Sequence, residues 1–590
     1  MKELMSGNAA IARGAYEAGV KVGVGYPGTP STETLEIFSK YPDIYAQWSP
    51  NEKVALEVGI GASVGGSKVL VTMKHVGVNV AADPLFTLSY TGVNGGLVLL
   101  SADDPSMHSS QNEQDNRYYA LMAKIPCLEP SDSQEAKDMV ASALELSEQF
   151  DTPVMLRTTT RVNHSQTMVE TTDRQELANK EYIKNPKKYV MTPANARGRR
   201  VHVEERLQKL QQYSENSILN KIHWDDTKIG VITSGISYHY VREVLPQASV
   251  LKLGMTNPLP AKLIQDFASK VSTLIVVEEL DPFLETQIKA MGLAVHGKDM
   301  LPNIGELNPR IVAQSFKDNN IEVNEKYHNN EVNLPDADAP TIPPRPPVLC
   351  AGCPHRAAFH VLRELNLTVT GDIGCYTLGS LPPLTSMDTC VCMGASVGMA
   401  HGMALANPAN KDRTVAVIGD STFLHSGVTG LMDIVYNGGS ATVLILDNRT
   451  TAMTGHQEHP ATGKTLMGEP ANEVDLEGLV KSLGVKRVQV VDPIDITKFE
   501  QIVKEETAAQ EPSVIIARRP CALLNKEPQQ PVTLDVNMCM GCRLCLNLGC
   551  PAISEKDGVV TLNAIHCNGC ELCISVCSQG AIMKGGQNNA

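Results

Sequence analysis

The chain has 590 residues, 42% hydrophobic and 20% charged, with a net charge of −14. At ~150 residues per domain this is room for about four domains, and the composition excludes a disordered, collagen-like or supercharged chain. The acidic balance and the 4% aromatic content argue against nucleic acid or an anionic membrane as the partner, because both a basic field and stacking platforms are lacking.

No run of ~20 apolar residues offers a transmembrane helix. The start, MKELMSGNAAIARGAYEAGV, has no apolar signal-peptide centre, so the expectation is a cytoplasmic protein with reduced thiols. Residues 1–170 read as an α/β domain. VGVGYPGTPSTE is a glycine-rich turn opening a helix at Ser31–Thr32–Glu33. KVLVTMKHV (68–76) and GGLVLLSADDP (95–105) read as buried strands, and DTPVMLRTTTRVNHS (151–165) as the final strand. Residues 171–225 are polar and charged, a helical connector. Residues 226–330 form a second α/β unit, with STLIVVEELDP a buried strand ending in acids. Residues 331–347 are a stiff linker with six prolines in 334–347. Residues 348–527 read as a third α/β domain and 528–590 as a cysteine-rich tail.

Eight of the fifteen cysteines fall within 539–590. They form two runs, Cys539-x₂-Cys542-x₂-Cys545-x₄-Cys550-Pro551 and Cys567-x₂-Cys570-x₂-Cys573-x₃-Cys577. Three cysteines so spaced wrap one iron–sulfur cube, and the fourth reaches the other cube. One [4Fe-4S] cluster then takes Cys539, Cys542, Cys545 and Cys577, the second Cys550, Cys567, Cys570 and Cys573. The tail resembles a bacterial two-cluster ferredoxin. It departs in having four residues before Cys550 and Ser578 after Cys577. Structural zinc is the other chemistry of such pairs.

Residues 414–450 read as a buried strand ending at Gly419-Asp420-Ser421, a helix, and a second buried strand ending at Asp447-Asn448. A helix N-terminus beside glycine suits a diphosphate, and a bridging Mg²⁺ needs hard oxygens. Asp420, Asn448 and the carbonyl of Thr450 are the candidate ligands. The pattern resembles the thiamine-diphosphate motif Gly-Asp-Gly…Asn, with Ser421 in place of its last glycine. An ordinary strand-to-helix turn is the plain alternative. Thiamine chemistry also needs a carboxylic acid at the aminopyrimidine ring. Glu52 precedes Gly61 by nine positions, the spacing of the pyrimidine-binding helix in thiamine enzymes. Burial at that helix start would suit proton exchange with the ring, whereas Glu57 reads as a solvated helix acid.

Together these segments resemble the 2-oxoacid:ferredoxin oxidoreductases, and within them the large subunits acting on arylpyruvates such as indolepyruvate. The further marks are Tyr26-Pro27-Gly28-Thr29-Pro30, Cys350-Ala-Gly-Cys353-Pro-His355 and Asp372-Ile-Gly-Cys375. The resemblance implies several transketolase-like parallel-sheet α/β domains. They are a pyrimidine-binding domain (1–170), a transketolase C-terminal-like domain (226–330) and a diphosphate-binding domain (348–527), followed by a ferredoxin domain (528–590). It implies thiamine diphosphate, Mg²⁺ and two [4Fe-4S] clusters, CoA as acyl acceptor and ferredoxin as electron acceptor. It also implies a small β subunit in an α2β2 assembly. Thr29 and Arg117 become candidates for the substrate. His75, Gly419 and Ser421 join Glu52, Asp420 and Asn448 at the cofactor. For Arg117 a polar-loop arginine, and for His75 a satisfied loop histidine, are equal alternatives. Cys350, Cys353, Cys375 and Cys521 are either ligands of a third cluster or buried thiols. The competing classes are a non-oxidative thiamine decarboxylase, which needs no clusters, and an electron-transfer subunit with relic thiamine folds.

Overall fold

A computed structural model describes residues 1–176, 178–327, 345–525 and 529–586. The chain divides into two compact units, residues 1–340 and 341–590. Among the described residues no helix is long and apolar enough to cross a membrane. Most of the proline-rich linker lies outside the described residues.

The first unit is built on a seven-stranded sheet. Its order is Met255–Asn257, Cys127–Leu128, Val154–Thr159, Leu97–Asp103, Val69–Lys74, Val22–Gly25, Tyr45–Trp48. All neighbours are parallel except the first pair. Every residue of Val69–Lys74 and Leu97–Asp103 is buried, as central strands covered on both faces require. The helix Glu52–Val64 starts where the Asn51 side chain accepts the N–H of Val54 at 2.9 Å, the usual N-cap geometry. Its inner face packs on that sheet through Leu56.

Two expectations change here. The segment 151–165 is a strand only over Val154–Thr159. It continues as a helix, Thr160–His164, and a further strand, Gln166–Glu170, pairs antiparallel with Lys2–Ser6. The strand Met255–Asn257 closes the edge of the first sheet, so the second α/β segment shares that sheet instead of standing apart. The connector does form a long helix, Pro193–Glu215. Arg206 fastens it to the first layer, donating to the carbonyls of Asp151 (2.8 Å) and Ser89 (3.0 Å). Residues 221–277 form a four-stranded sheet in the order Thr273–Val277, Asp226–Ser234, Ala248–Leu253, Lys221–His223.

The second unit carries an all-parallel six-stranded sheet in the order Thr389–Cys390, Thr368–Gly371, Thr414–Gly419, Thr442–Asp447, Ser513–Arg518, Arg487–Val491. Apolar layers fill both its faces. The tail follows as two small antiparallel pairs, Thr533–Leu534 with Ile582–Met583 and Ile553–Lys556 with Val559–Leu562. Ala357 of the helix His355–Glu364 belongs to the same apolar cluster as Val532, Leu548, Ile553 and Leu572 of the tail. Arg356 reinforces this, donating to the carbonyls of Leu548 (2.6 Å) and Cys350 (3.2 Å). The tail is therefore seated on the helix by shared core.

Candidate functional site

In open parallel sheets ligands bind beyond the carboxyl ends of the strands, and the conspicuous polar residues of both units gather there. In the first unit, Val22–Gly25 runs into the turn Tyr26-Pro27-Gly28-Thr29-Pro30. Gly28 lies against the end of the next strand, since a Cβ on it would stand 2.9 Å from the Cβ of Lys74. Thr29 is half-buried, and its carbonyl accepts the Ser109 hydroxyl at 3.4 Å. Glu52 is 5% exposed. Its carboxyl group lies on Gly77, where an added Cβ would come within 2.7 Å of Oε1. Gly77 is therefore required for the position of Glu52. Gly61, nine residues on, faces open space, whereas Gly59 packs on the sheet at Val71. Glu57 pairs with exposed Lys53.

Two residues assigned on resemblance, Arg117 and His75, lie deep in the fold. Arg117 is 1% exposed and its donors are committed. They reach Asp115 (2.8 Å), Glu278 (2.8 Å) and the carbonyls of Glu279 (3.0 Å) and Asp281 (3.3 Å), with the guanidinium over the Phe283 ring. Two buried carboxylates already balance its charge, so a substrate carboxylate would gain little there. Arg117 instead joins the first sheet to the acidic end of Thr273–Val277. Removing one partner of a buried ion pair strands the other charge, so Arg117→Ala is expected to cost about 3–5 kcal/mol of stability, measured by denaturant unfolding. A loss below 1 kcal/mol would contradict this structural role. His75 is fully buried. Its Nε2 meets the Asn112 carbonyl at 3.1 Å, and burial pushes the imidazole down to about 4. It is held neutral by burial, and among the described residues its Nδ1 is buried without a hydrogen-bond partner.

In the second unit, Gly419 and Leu446 are paired neighbours on adjacent strands, which brings Asp420 beside the loop 448–451. Asp420 is 2% exposed. It accepts the N–H groups of Ser421 and Arg449, both at 2.8 Å, and His459 Nε2 lies 3.2 Å away. Asn448 and Thr450 are also buried. The Asn448 amide faces His355 Nε2 at 3.4 Å, and burial lowers that imidazole to about 4. Ser421 has a place of its own, since its hydroxyl accepts Thr451 Oγ1 at 2.9 Å and so ties the two loops. A carboxylate, an amide oxygen and a backbone carbonyl buried at two neighbouring strand ends are hard donors that fit a divalent cation of the Mg²⁺ class. The sequence reading missed His459. It also missed that Asp372 is spent on helix capping, accepting the N–H groups of Gly394 (2.9 Å) and Ser396 (3.1 Å) at the start of Ala395–Ala406. Burial still pushes the Asp372 carboxyl up.

The cysteines sort into groups. Burial raises the Cys545 thiol, and the sulfurs that add to this are Cys542, Cys539 and Cys577. Burial raises Cys573 to about 12, and its sulfur neighbours are Cys570, Cys550 and Cys567. Those four line one cavity together with Ala351, Gly352 and Arg356. A third group lies nearer the sheet. Cys353 is pushed up to about 12 and Cys375 to about 11, first by burial and then by neighbours among Cys350 and Cys521. The N–H of Cys521 donates to the Asn448 carbonyl at 2.9 Å. Among the described residues no three His, Cys, Asp or Glu side chains converge on the position of a single ion. A cube takes one sulfur at each iron, so its thiols stand around a volume instead of meeting at a point.

Residues 13–218 match the family described as "Pyruvate flavodoxin/ferredoxin oxidoreductase, thiamine diP-bdg", and residues 372–517 match "Thiamine pyrophosphate enzyme, C-terminal TPP binding domain". The chain is 43% identical over 582 residues to the indolepyruvate oxidoreductase subunit IorA of Archaeoglobus fulgidus, covering 94% of this chain and 92% of that one. It is 41% identical over 611 residues to the subunit of the same name from Methanothermobacter marburgensis, covering 98% and 97%. It is 26% identical over 359 residues to the 2-oxoglutarate synthase subunit KorA of the latter organism, covering 51% of this chain and 94% of that one.

Proposed function

Because the chain belongs to the family of indolepyruvate oxidoreductase IorA subunits, we propose that it is the catalytic large subunit for oxidative decarboxylation of arylpyruvates. The reaction is arylpyruvate + CoA + two oxidised ferredoxins → arylacetyl-CoA + CO₂ + H⁺ + two reduced ferredoxins. The chain is an oxidoreductase subunit with thiamine diphosphate-binding domains. When bound, that cofactor serves as the electron sink that lets a 2-oxo acid lose carbon dioxide. Glu52 would hold and exchange a proton at the far nitrogen of the aminopyrimidine, buried against Gly77. Asp420, Asn448 and the Thr450 carbonyl would hold Mg²⁺ on the diphosphate, with Gly419 and Ser421 framing the turn. Thr29 borders the substrate.

The observation that carries this reading is the sorting of the cysteines. The cysteine neighbours of Cys545 and those of Cys573 form two crossed groups, which supports the ligand sets of a two-cluster ferredoxin domain. The third set, Cys350, Cys353, Cys375 and Cys521, touches the Asp420–Asn448 site through Cys521. Three [4Fe-4S] clusters would lead electrons away from that site. Anaerobically prepared protein should then contain about twelve irons, at four per cube, falling toward about eight in Cys350→Ser. A value near eight that Cys350→Ser leaves unchanged would remove the third cluster and keep the other two.

A small β subunit would complete the assembly as α2β2 in the reducing cytoplasm. The test of function is carbon dioxide release from a panel of arylpyruvates by the co-expressed two-subunit complex, with and without CoA and ferredoxin. Release that depends on both is expected. Release indifferent to both would favour a non-oxidative decarboxylase.

A further inference from the structure

With Arg117 committed elsewhere, the carboxylate of the substrate needs another cation. The end of the strand Val69–Lys74 offers one. Lys74 is 9% exposed, yet among the described residues no carboxylate oxygen lies within 4 Å of its ammonium group. Its hydrogen-bond partner there is Ser109, through the carbonyl at 2.7 Å and the hydroxyl at 3.4 Å. An ammonium carries three donors, and a buried charge is ordinarily paired. Asp104 and Glu52 support the charge from a distance. Asp104 is itself engaged with Ser109 N (2.8 Å), Ser110 Oγ (2.6 Å) and Thr160 Oγ1 (2.8 Å). Lys74 also lies at the right place. Gly28 packs directly on its side chain, and Ser109 bonds both the ammonium and the carbonyl of Thr29. Thr29, Lys74 and Glu52 thus stand at the ends of neighbouring elements of one unit.

We propose that Lys74 binds the carboxylate of the 2-oxo acid substrate, with Thr29 beside it. The inference rests on the proposed function, because it supplies the anion that function requires. An anion arriving at Lys74 completes the donors that Ser109 leaves over and neutralises the buried charge. Burial lowers this amine to about 8. Glu52 and Asp104 oppose that shift, while His75, held neutral, has no charge to add at neutral pH. The ammonium, and with it carboxylate binding, is therefore present below pH 8 and lost as the pH rises past it.

The test uses the anaerobic two-subunit complex and equilibrium binding of 3-phenyllactate, which keeps the carboxylate but has no 2-oxo group to react. Its methyl ester is the uncharged control. Lys74→Met should weaken phenyllactate binding about 10- to 100-fold, the worth of a hydrogen bond to a charged group, and leave the ester unchanged. Lys74→Arg should retain most of the affinity and lose its decline above pH 8. The thiamine diphosphate content of each variant reports whether the fold survives. Wild-type protein that binds phenyllactate and consumes arylpyruvates, matched within threefold in phenyllactate binding by Lys74→Met, overturns this inference alone. Wild-type protein that does neither overturns the proposed function and this inference with it.

Discussion

Glu52→Gln is expected to lower turnover by ~10²–10⁴-fold, the usual worth of a positioned acid–base group, while thiamine diphosphate and iron contents stay at wild-type levels. The amide has the shape of the acid it replaces, so the packing on Gly77 survives. What is lost is the proton that only a carboxyl group can exchange with the ring. Glu57→Gln is the matched control. It sits five residues along the same helix, exposed and paired with Lys53, and its loss should leave turnover unchanged. Activity of Glu52→Gln within a few-fold of wild type would remove Glu52 from the chemistry.

The second large effect belongs to Asp420→Ala. This carboxylate is the only charged oxygen among the three candidate ligands, and its oxygens also fix the Ser421 and Arg449 N–H groups of the two loops. Loss of an outer-shell partner of a metal site already costs ~10–100-fold in affinity, and loss of the charged ligand should exceed that. Purified Asp420→Ala should therefore carry little thiamine diphosphate at moderate Mg²⁺ and recover it only at high Mg²⁺. The roughly eight irons of the two tail clusters should be retained, because the apolar cluster of the tail does not include Asp420. Normal occupancy of the purified variant at moderate Mg²⁺ would contradict a metal-binding role.

The parts that were legible in the sequence are those encoded over short distances. The strands Val69–Lys74 and Leu97–Asp103 announce themselves as apolar runs, and the tail cysteines by their two-residue gaps. Asp420 and Asn448 were legible because both lie at the ends of such runs. What was not legible depends on a remote partner. Arg117 looks like a loop residue until Glu278, 161 positions away, closes on it. Lys74 closes an apolar strand, where a solvated lysine would be expected. Only the fold brings Gly28 against it and, among the described residues, leaves its charge without a contacting acid. The edge strand Met255–Asn257 has three residues, too few for any periodicity to mark, and it carries the second segment into the first sheet. His459 reaches Asp420 across 39 positions, with nothing local to signal it.

The seating of the tail on the helix His355–Glu364 has a kinetic consequence. A carrier that must diffuse to its donor is reduced at a rate set by encounter, which falls on dilution and changes with ionic strength. Here the Cys550–Cys573 cavity is walled by Gly352 and Arg356, and the Cys521 N–H is bonded to Asn448. Covalent and core contacts replace the encounter with a fixed effective concentration. With the proposed clusters in place, electron passage within this unit would be first order, so its rate constant in a single-turnover experiment should be the same at tenfold dilution. Concentration dependence should enter only when the soluble ferredoxin collects the electrons.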